Sequence, residues 1–257
     1  KVSKGAPTWR AYVEFINDIV IDGLARTVCG SLESLNTQLD PAQISKDEIA
    51  PLIEIQLELD SSIVNYKPAL SASSGSLHEM VENWTTSFFS VCKVVKWLDR
   101  ADGDFIKEIE EAEQVRFYVH QIQMHVRANQ VLCEDFKASF LSYKSMWTDD
   151  VDEALKKFLT APEVDASKPA AEEDVEVVEG ALAPKFEPPL AAFDETIARY
   201  VKSASQIQAI PSSASRGWLK IDARPIKTAL ATWGYKWQFR YTNYLQTSFE
   251  QTLVELK

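Results

Sequence analysis

The residues best suited to acid–base, metal or nucleophilic chemistry are few in this 257-residue chain, and their spacing assembles no site. The three histidines are His78, His120 and His125. None lies in an HExxH pattern, and none follows a glutamate by three positions, so neither the zinc-protease nor the di-iron bundle arrangement forms. His120 and His125 are five residues apart and point from different faces of one predicted helix. Cys29, Cys92 and Cys133 are odd in number and widely spaced, which predicts reduced, buried, intracellular thiols rather than a disulfide framework or a zinc site. The acidic cluster Asp99 to Asp104 does not complete the D-x-D-x-D-G pattern with its closing glutamate, and reads as an interhelical turn. Phosphate chemistry is excluded too: there is no GxxxxGK[ST], GxGxxG or GxSxG. No catalytic, cofactor-binding or metal-binding residue is therefore assigned.

Composition points the same way. There are 8 glycines in 257 residues, about 3% against a usual ~7%. Few glycines mean few tight turns and few phosphate-cradling loops, which favours long helices. The formal charge is −11, so no basic footprint for duplex nucleic acid exists. Residues 163–187 hold eight acids and two lysines and supply −6 of that charge. Mean hydropathy is −0.19, and no stretch approaches the ~20 apolar residues of a membrane span. Neither nucleic acid nor membrane is expected as a partner. The sequence opens on Lys1-Val2, not on Met, and the last helical pattern runs to its end, which reads as a piece of a longer protein.

Hydrophobic spacing lays out the elements. Trp9, Val13, Ile16, Val20, Leu24, Val28, Leu32, Leu35 and Leu39 step by threes and fours, predicting a helix from about Thr8, its cap, to Leu39. Ser45-Lys46-Asp47-Glu48 is a capping-box pattern. The period then changes to two. Ile53, Ile55, Leu57 and Leu59 alternate with polar residues as a half-buried strand, Asp60 to Ser62 turns, and Ile63 to Tyr66 returns. Ser76-Leu77-His78-Glu79 opens a helix through about Trp97. From Phe105 to Trp147 the core positions take twelve steps over 42 residues, a mean of 3.5. That predicts one unbroken heptad helix, with Asn129 or Gln130 filling its single gap. A short helix covers 150–159.

Thr160 to Pro189 is rich in Ala, Pro, Glu and Val and predicts a disordered insertion. Helix returns from Leu190 to about Ile210, and Pro211 to Gly217 is a loop. Trp218 to Ile221 is a short strand, with Leu219 and Ile221 on one face. Asp222 is positioned to cap the last helix, with Pro225 tolerated in its first turn. Ile226, Leu230, Trp233, Trp237, Tyr241, Leu245, Phe249, Leu253 and Leu256 mark one face of that helix. A two-stranded hairpin is marginal alone, so residues 218–221 are expected to pair with the hairpin at about 51–67. The fold expected is mainly α: elongated stacked helical bundles with a small three-stranded antiparallel or mixed β-unit. Residues 1–159 form a bundle segment, 160–189 the insertion, and 190–257 continue the same bundle.

Three stretches carry a resemblance to a known family. Pro51-Leu52-Ile53-Glu54-Ile55-Gln56-Leu57-Glu58-Leu59 with Ile63 to Pro68 resembles "PLLEVKLEL…IVFxP". Cys133 through Phe136, Phe140, Tyr143 and Trp147 resembles "CxxFxxxFxxYxxLW". The most specific is Trp218-Leu219-Lys220-Ile221-Asp222-Ala223-Arg224-Pro225-Ile226-Lys227, running to Ala229-Leu230, against "WLRVDARPLKxAL". These are segments of the tail of axonemal dynein heavy chains, upstream of the linker and motor ring. The insertion's composition resembles green-algal flagellar dyneins, and the outer arm is preferred over the inner.

The resemblance implies a non-catalytic piece of a microtubule motor in the axoneme of cilia and flagella. Its partners would be other dynein heavy, intermediate and light chains and, through the complex, docking proteins on the doublet. ATP and magnesium would belong only to the parent's ring, so no cofactor is expected in this segment. The structural motif to follow is Ile53, Ile55, Leu57, Leu59, Trp218, Leu219, Ile221, Asp222, Arg224 and Pro225. The competing reading is a free-standing adaptor of spectrin-like or coiled-coil type. Such an array should show repeats at a fixed period, and none is found.

Overall fold

The computed structural model describes residues 6–40, 51–71, 73–95, 102–160 and 188–255. It is mainly helical with one small sheet. The predicted insertion and the Ser45 capping box lie almost wholly outside the described residues. The chain forms two compact units, one of 1–58, 65–137 and 213–223, the other of 59–64, 138–212 and 224–257.

In the first unit, helix α1 spans Pro7–Leu39. Its cap is Ala6, without a side-chain hydrogen bond, and not Thr8; Pro7 takes the first turn, where its fixed φ suits a helix start. The buried stripe is Val13, Asn17, Leu24, Val28, Leu32, Leu35 and Leu39. Helix α2, Leu77–Phe88, starts as the capping box predicts: Ser76 Oγ accepts the Glu79 N–H at 3.3 Å. The Glu79 carboxylate, however, takes the N–H of Gly75 rather than that of Ser76.

Helix α2 ends well before Trp97, passing into a 3₁₀ turn over Phe89–Lys93. The Phe89 N–H bonds to Thr86 O, three residues back, where the tighter spacing begins. Nearby, Thr85 Oγ1 donates to Glu82 O and Ser87 Oγ to Trp84 O, both at 2.7 Å.

The predicted single helix from 105 to 147 is divided. Helix α3 spans Asp102–Glu111 and α4 spans Glu113–Leu141. At Ala112 the N–H bonds to Ile109 O, three residues back, which breaks the α pattern without a glycine or proline. The buried heptad positions survive the break: Phe105, Ile109, Val115, Ile122, Val126, Cys133 and Phe136 are all in the core.

The second unit holds the end of α4, then α5, Ser145–Thr148, and α6, Val151–Thr160. The turn between α4 and α5 again uses three-residue bonds, Tyr143 N–H to Phe140 O and Lys144 N–H to Leu141 O. Asp150 caps α6, its Oδ1 accepting the N–H groups of Asp152 at 2.8 Å and Glu153 at 2.9 Å. Those two donors hold its carboxyl below the usual range, Glu153 first.

Helix α7, Leu190–Ala209, packs along α8, Arg224–Glu255. The core here is aromatic: Phe193, Trp237 and Tyr241 with Val151 and Leu155. Phe158 meets Phe193 edge-on at 4.7 Å, and Tyr200 stacks on Trp237 at 4.8 Å. Trp237 Nε1 donates to Met146 O at 2.7 Å, so the ring is buried with its polar atom satisfied. Trp237 and Tyr241 are thus core, with Trp233 packed against them.

Candidate functional site

The sheet is four-stranded with the order β2-β1-β4-β3. Strand β1 is Ile53–Asp60, β2 Ile63–Lys67, β3 Ser213–Arg216 and β4 Leu219–Asp222. The expected pairing of the hairpin with residues 218–221 is present. β1 and β4 run parallel, with Ile53 opposite Leu219, Glu54 opposite Lys220, Ile55 opposite Ile221 and Gln56 opposite Asp222. Leu52 N–H donates to Trp218 O at 2.8 Å and continues the ladder by one step.

The strand count was expected to be three. The fourth, β3, falls in the stretch read as a loop, and it pairs antiparallel to β4 with Arg216 opposite Leu219. Its residues Ser213-Ala214-Ser215-Arg216 have no apolar alternation. They join the sheet edge through the backbone ladder, so periodicity could not reveal them.

Alternation sorts the side chains. Ile55, Leu57, Leu219 and Ile221 are buried, while Ile53 and Leu59 are half-buried. On the opposite face Glu54 and Lys220 pair at 3.5 Å with both side chains about half exposed, worth little on its own. Trp218 is buried at the β3–β4 turn, not in a strand. Asp222 ends β4 and is buried; the residue directly before α8 is Ala223, one position beyond the expected cap. Arg224 and Pro225 are the first two residues of α8, Arg224 exposed and Pro225 half-buried. Leu59, Arg224 and Pro225 belong to the second compact unit, the other seven motif residues to the first.

Three contributors escaped the sequence reading. Gly217 takes φ +55°, and a Cβ there would fall 1.8 Å from Asn129 Oδ1. Asn129 itself is fully buried at the gap in the heptad run, which was its only signal. The third is Lys227 in the second unit. It is buried, and its Nζ donates to Gln208 O at 2.9 Å, Ile210 O at 2.7 Å and Ser212 Oγ at 3.1 Å. All three ammonium protons are used: two satisfy carbonyls left open at the end of α7, and the third goes to the Ser212 hydroxyl.

The polar groups beneath the sheet are structural. Tyr66 OH donates to Cys133 O at 2.6 Å. Burial raises the Tyr66 pKa far above the ordinary phenol value, with Cys133 and Glu134 adding to it and Arg216 opposing. Burial likewise pushes the Cys133 thiol up to about 12, so it stays protonated and unreactive at neutral pH. Arg216 lies 5.2 Å from the Phe136 ring centre.

The histidines do not converge. His120 lines an open groove of 380 Å³ with Glu82, Glu110 and Arg116, and His78 lines a small hollow beside it. Among the described residues no three of His, Cys, Asp and Glu come together as metal ligands would. No described helix is long and apolar enough to cross a membrane.

No protein-family model matches the chain. Whole-length relatives do. The chain is 35% identical over 258 residues to the dynein beta chain of the flagellar outer arm of Chlamydomonas reinhardtii, covering all of this chain and 5% of that protein. It is 26% identical over 251 residues to dynein axonemal heavy chain 17 of Homo sapiens, covering 97% of this chain and 5% of the relative. To the ciliary dynein beta chain of Tripneustes gratilla it is 24% identical over 261 residues, covering 6% of that protein.

Proposed function

Since the homologues of this chain along its whole length are axonemal dynein heavy chains, we propose that it is a non-catalytic structural segment of a heavy-chain tail. In this role it holds a microtubule motor in the outer arm of the axoneme of cilia and flagella and supports assembly with other heavy, intermediate and light chains. The observation that carries the reading is the parallel β1–β4 pairing. It joins residues 53–56 to 219–222, so chain segments some 160 residues apart become one cooperative piece. Such cross-linking suits a segment that bears load between anchor and motor. The motor chemistry, with its ATP and magnesium, would lie in the rest of the parent.

Leu219→Asp in the full heavy chain tests this. It places an unpaired charge in the sheet core and touches no nucleotide site. The expected result is loss of the outer arm from the axoneme, with microtubule-stimulated ATPase retained by the separately purified motor ring. Axonemes with a normal complement of arms, carrying an unfolded variant segment, would overturn the assembly role. Specific, saturable ATP turnover by the purified wild-type chain would overturn the non-catalytic reading.

A further inference from the structure

Lys227 is the only buried basic side chain among the described residues. Its Nζ protons all have acceptors, but each acceptor is neutral: two carbonyls and the Ser212 hydroxyl. The exposed cations Lys157 and Arg240, by contrast, are paired with the carboxylates of Glu153 and Asp152. A buried charge is costly without a partner of opposite sign. The open carbonyls at a helix C-terminus amount to about half a negative charge, which leaves the rest of the Lys227 charge uncancelled.

Ser212 differs from the hydroxyls of the two helices it adjoins. Ser205 Oγ donates to Val201 O and Thr228 Oγ1 to Arg224 O, so both are tied to helical backbone. Ser212 is exposed and lies between the end of α7 and Ser213, outside helix and strand. Its Oγ accepts from Lys227 at 3.1 Å, and its own proton goes to no acceptor among the described residues. Esterifying that oxygen therefore removes no hydrogen bond that Ser212 donates. It also sets the new charge beside the buried ammonium, where the free phosphate oxygens can take over the bond from Nζ.

We propose that Ser212 is a phosphorylation site whose phosphate pairs with Lys227 and tightens the end of α7 against α8. A protein kinase moves the γ-phosphoryl group of ATP. The Oγ–P bond forms, the bond from that phosphorus to the bridging oxygen of ADP breaks, and the hydroxyl proton passes to the base of the kinase. The product carries about −1.5 to −2 charges at neutral pH and three strong acceptor oxygens. The bond from Nζ then becomes a charge-assisted pair, roughly twice as strong as one to a neutral acceptor. This inference does not depend on the assembly role proposed above.

Two measurements test it. Mass spectrometry of the native heavy chain, purified with phosphatase inhibitors, should find phosphate on Ser212. Recovery of Ser212 only in its unmodified form overturns the proposal. The whole chain made with phosphoserine at position 212 should melt about 2–4 °C above the unmodified chain. Its phosphorus resonance should titrate below the pKa of ~6 of an unpaired phosphoserine. Phosphoserine placed instead at Ser215, exposed and within β3, should do neither. Lys227→Gln should return the midpoint of the 212 phosphate to about 6, and Lys227→Arg should keep it low. The comparison of positions 212 and 215 leaves Lys227 intact, so it decides the matter even where Lys227→Gln fails to fold. Equal midpoints and equal melting temperatures at the two positions overturn the pairing with Lys227.

Discussion

The β1–β2 and β3–β4 hairpins both reverse in two residues, and both need left-handed backbone to do so. In the first, Ser61 has φ 47° and Ser62 φ 80°, with no glycine at either position. This is the pattern of a type I′ turn, for which Asn-Gly is the usual sequence. A non-glycine residue in that region costs roughly 1–2 kcal/mol. In the second, Gly217 alone is left-handed, the arrangement of a II′ turn. The serine turn is exposed and tied down from outside: Trp147 Nε1 donates to Ser62 O at 3.1 Å. The glycine turn is buried against Asn129. One turn thus carries strain that an anchor offsets. The other has no strain and no room.

Substitutions should separate the two. The largest effect is expected at the strand that the glycine turn launches. Leu219→Asp should cost about 4 kcal/mol or more, because a carboxylate would sit opposite Ile53 in the buried face; chemical denaturation reads this directly. Gly217→Ala should cost about 2–4 kcal/mol, from the Cβ contact with Asn129 and the left-handed φ. Asn129→Ala in the same chain should return part of that loss. Additive losses in the double-mutant cycle would mean the contact with Asn129 is unimportant.

The serine turn should behave oppositely. Trp147→Phe should cost about 1–2 kcal/mol by removing the indole donor from a part-buried bond. Ser62→Gly should stabilise by up to about 1 kcal/mol, because glycine adopts φ 80° without strain. A destabilised Ser62→Gly would show that the serine turn is not strained after all.

A pH series sharpens the contrast on the buried side. The folded chain raises the pKa of Cys133 to about 12 and that of Tyr66 above its ordinary 10.0. Both groups are neutral when protonated, so the unfolded chain loses its protons first as pH rises. The stability they contribute is present in full below about pH 9 and falls as pH climbs toward 12. The melting temperature should therefore be flat near neutrality and drop above pH 9. Cys133→Ala should lessen the drop.

The sequence showed β1 through its strict alternation, and β4 through Leu219 and Ile221 on one face, because both bury one side of a pleat. It showed the long helical stripes for the equivalent reason at period 3.6. It did not show β3, whose Ser213 to Arg216 bury little and join the edge through the backbone ladder without apolar alternation. The break at Ala112 was equally invisible, since a shift from four-residue to three-residue bonding needs no special residue. The partners of Gly217 and Lys227 come from elements 88 and 15–19 residues away in sequence, and no local pattern reports such contacts. The Ser61-Ser62 turn was placed correctly by its polarity, but its strain depends on φ values that serine composition does not signal.

Both compact units draw on chain from either side of residues 161–187. The first holds β1 and β4 in one sheet, and the second packs α6 and α7 on α8. A single cut introduced at an engineered protease site within 161–187 tests this most directly. The two fragments should stay together as one 1:1 species on size exclusion, with a melting transition close to that of the intact chain. Fragments that separate under native conditions, each folded or not, would contradict the claim that the sheet and the aromatic core join the two lengths of chain.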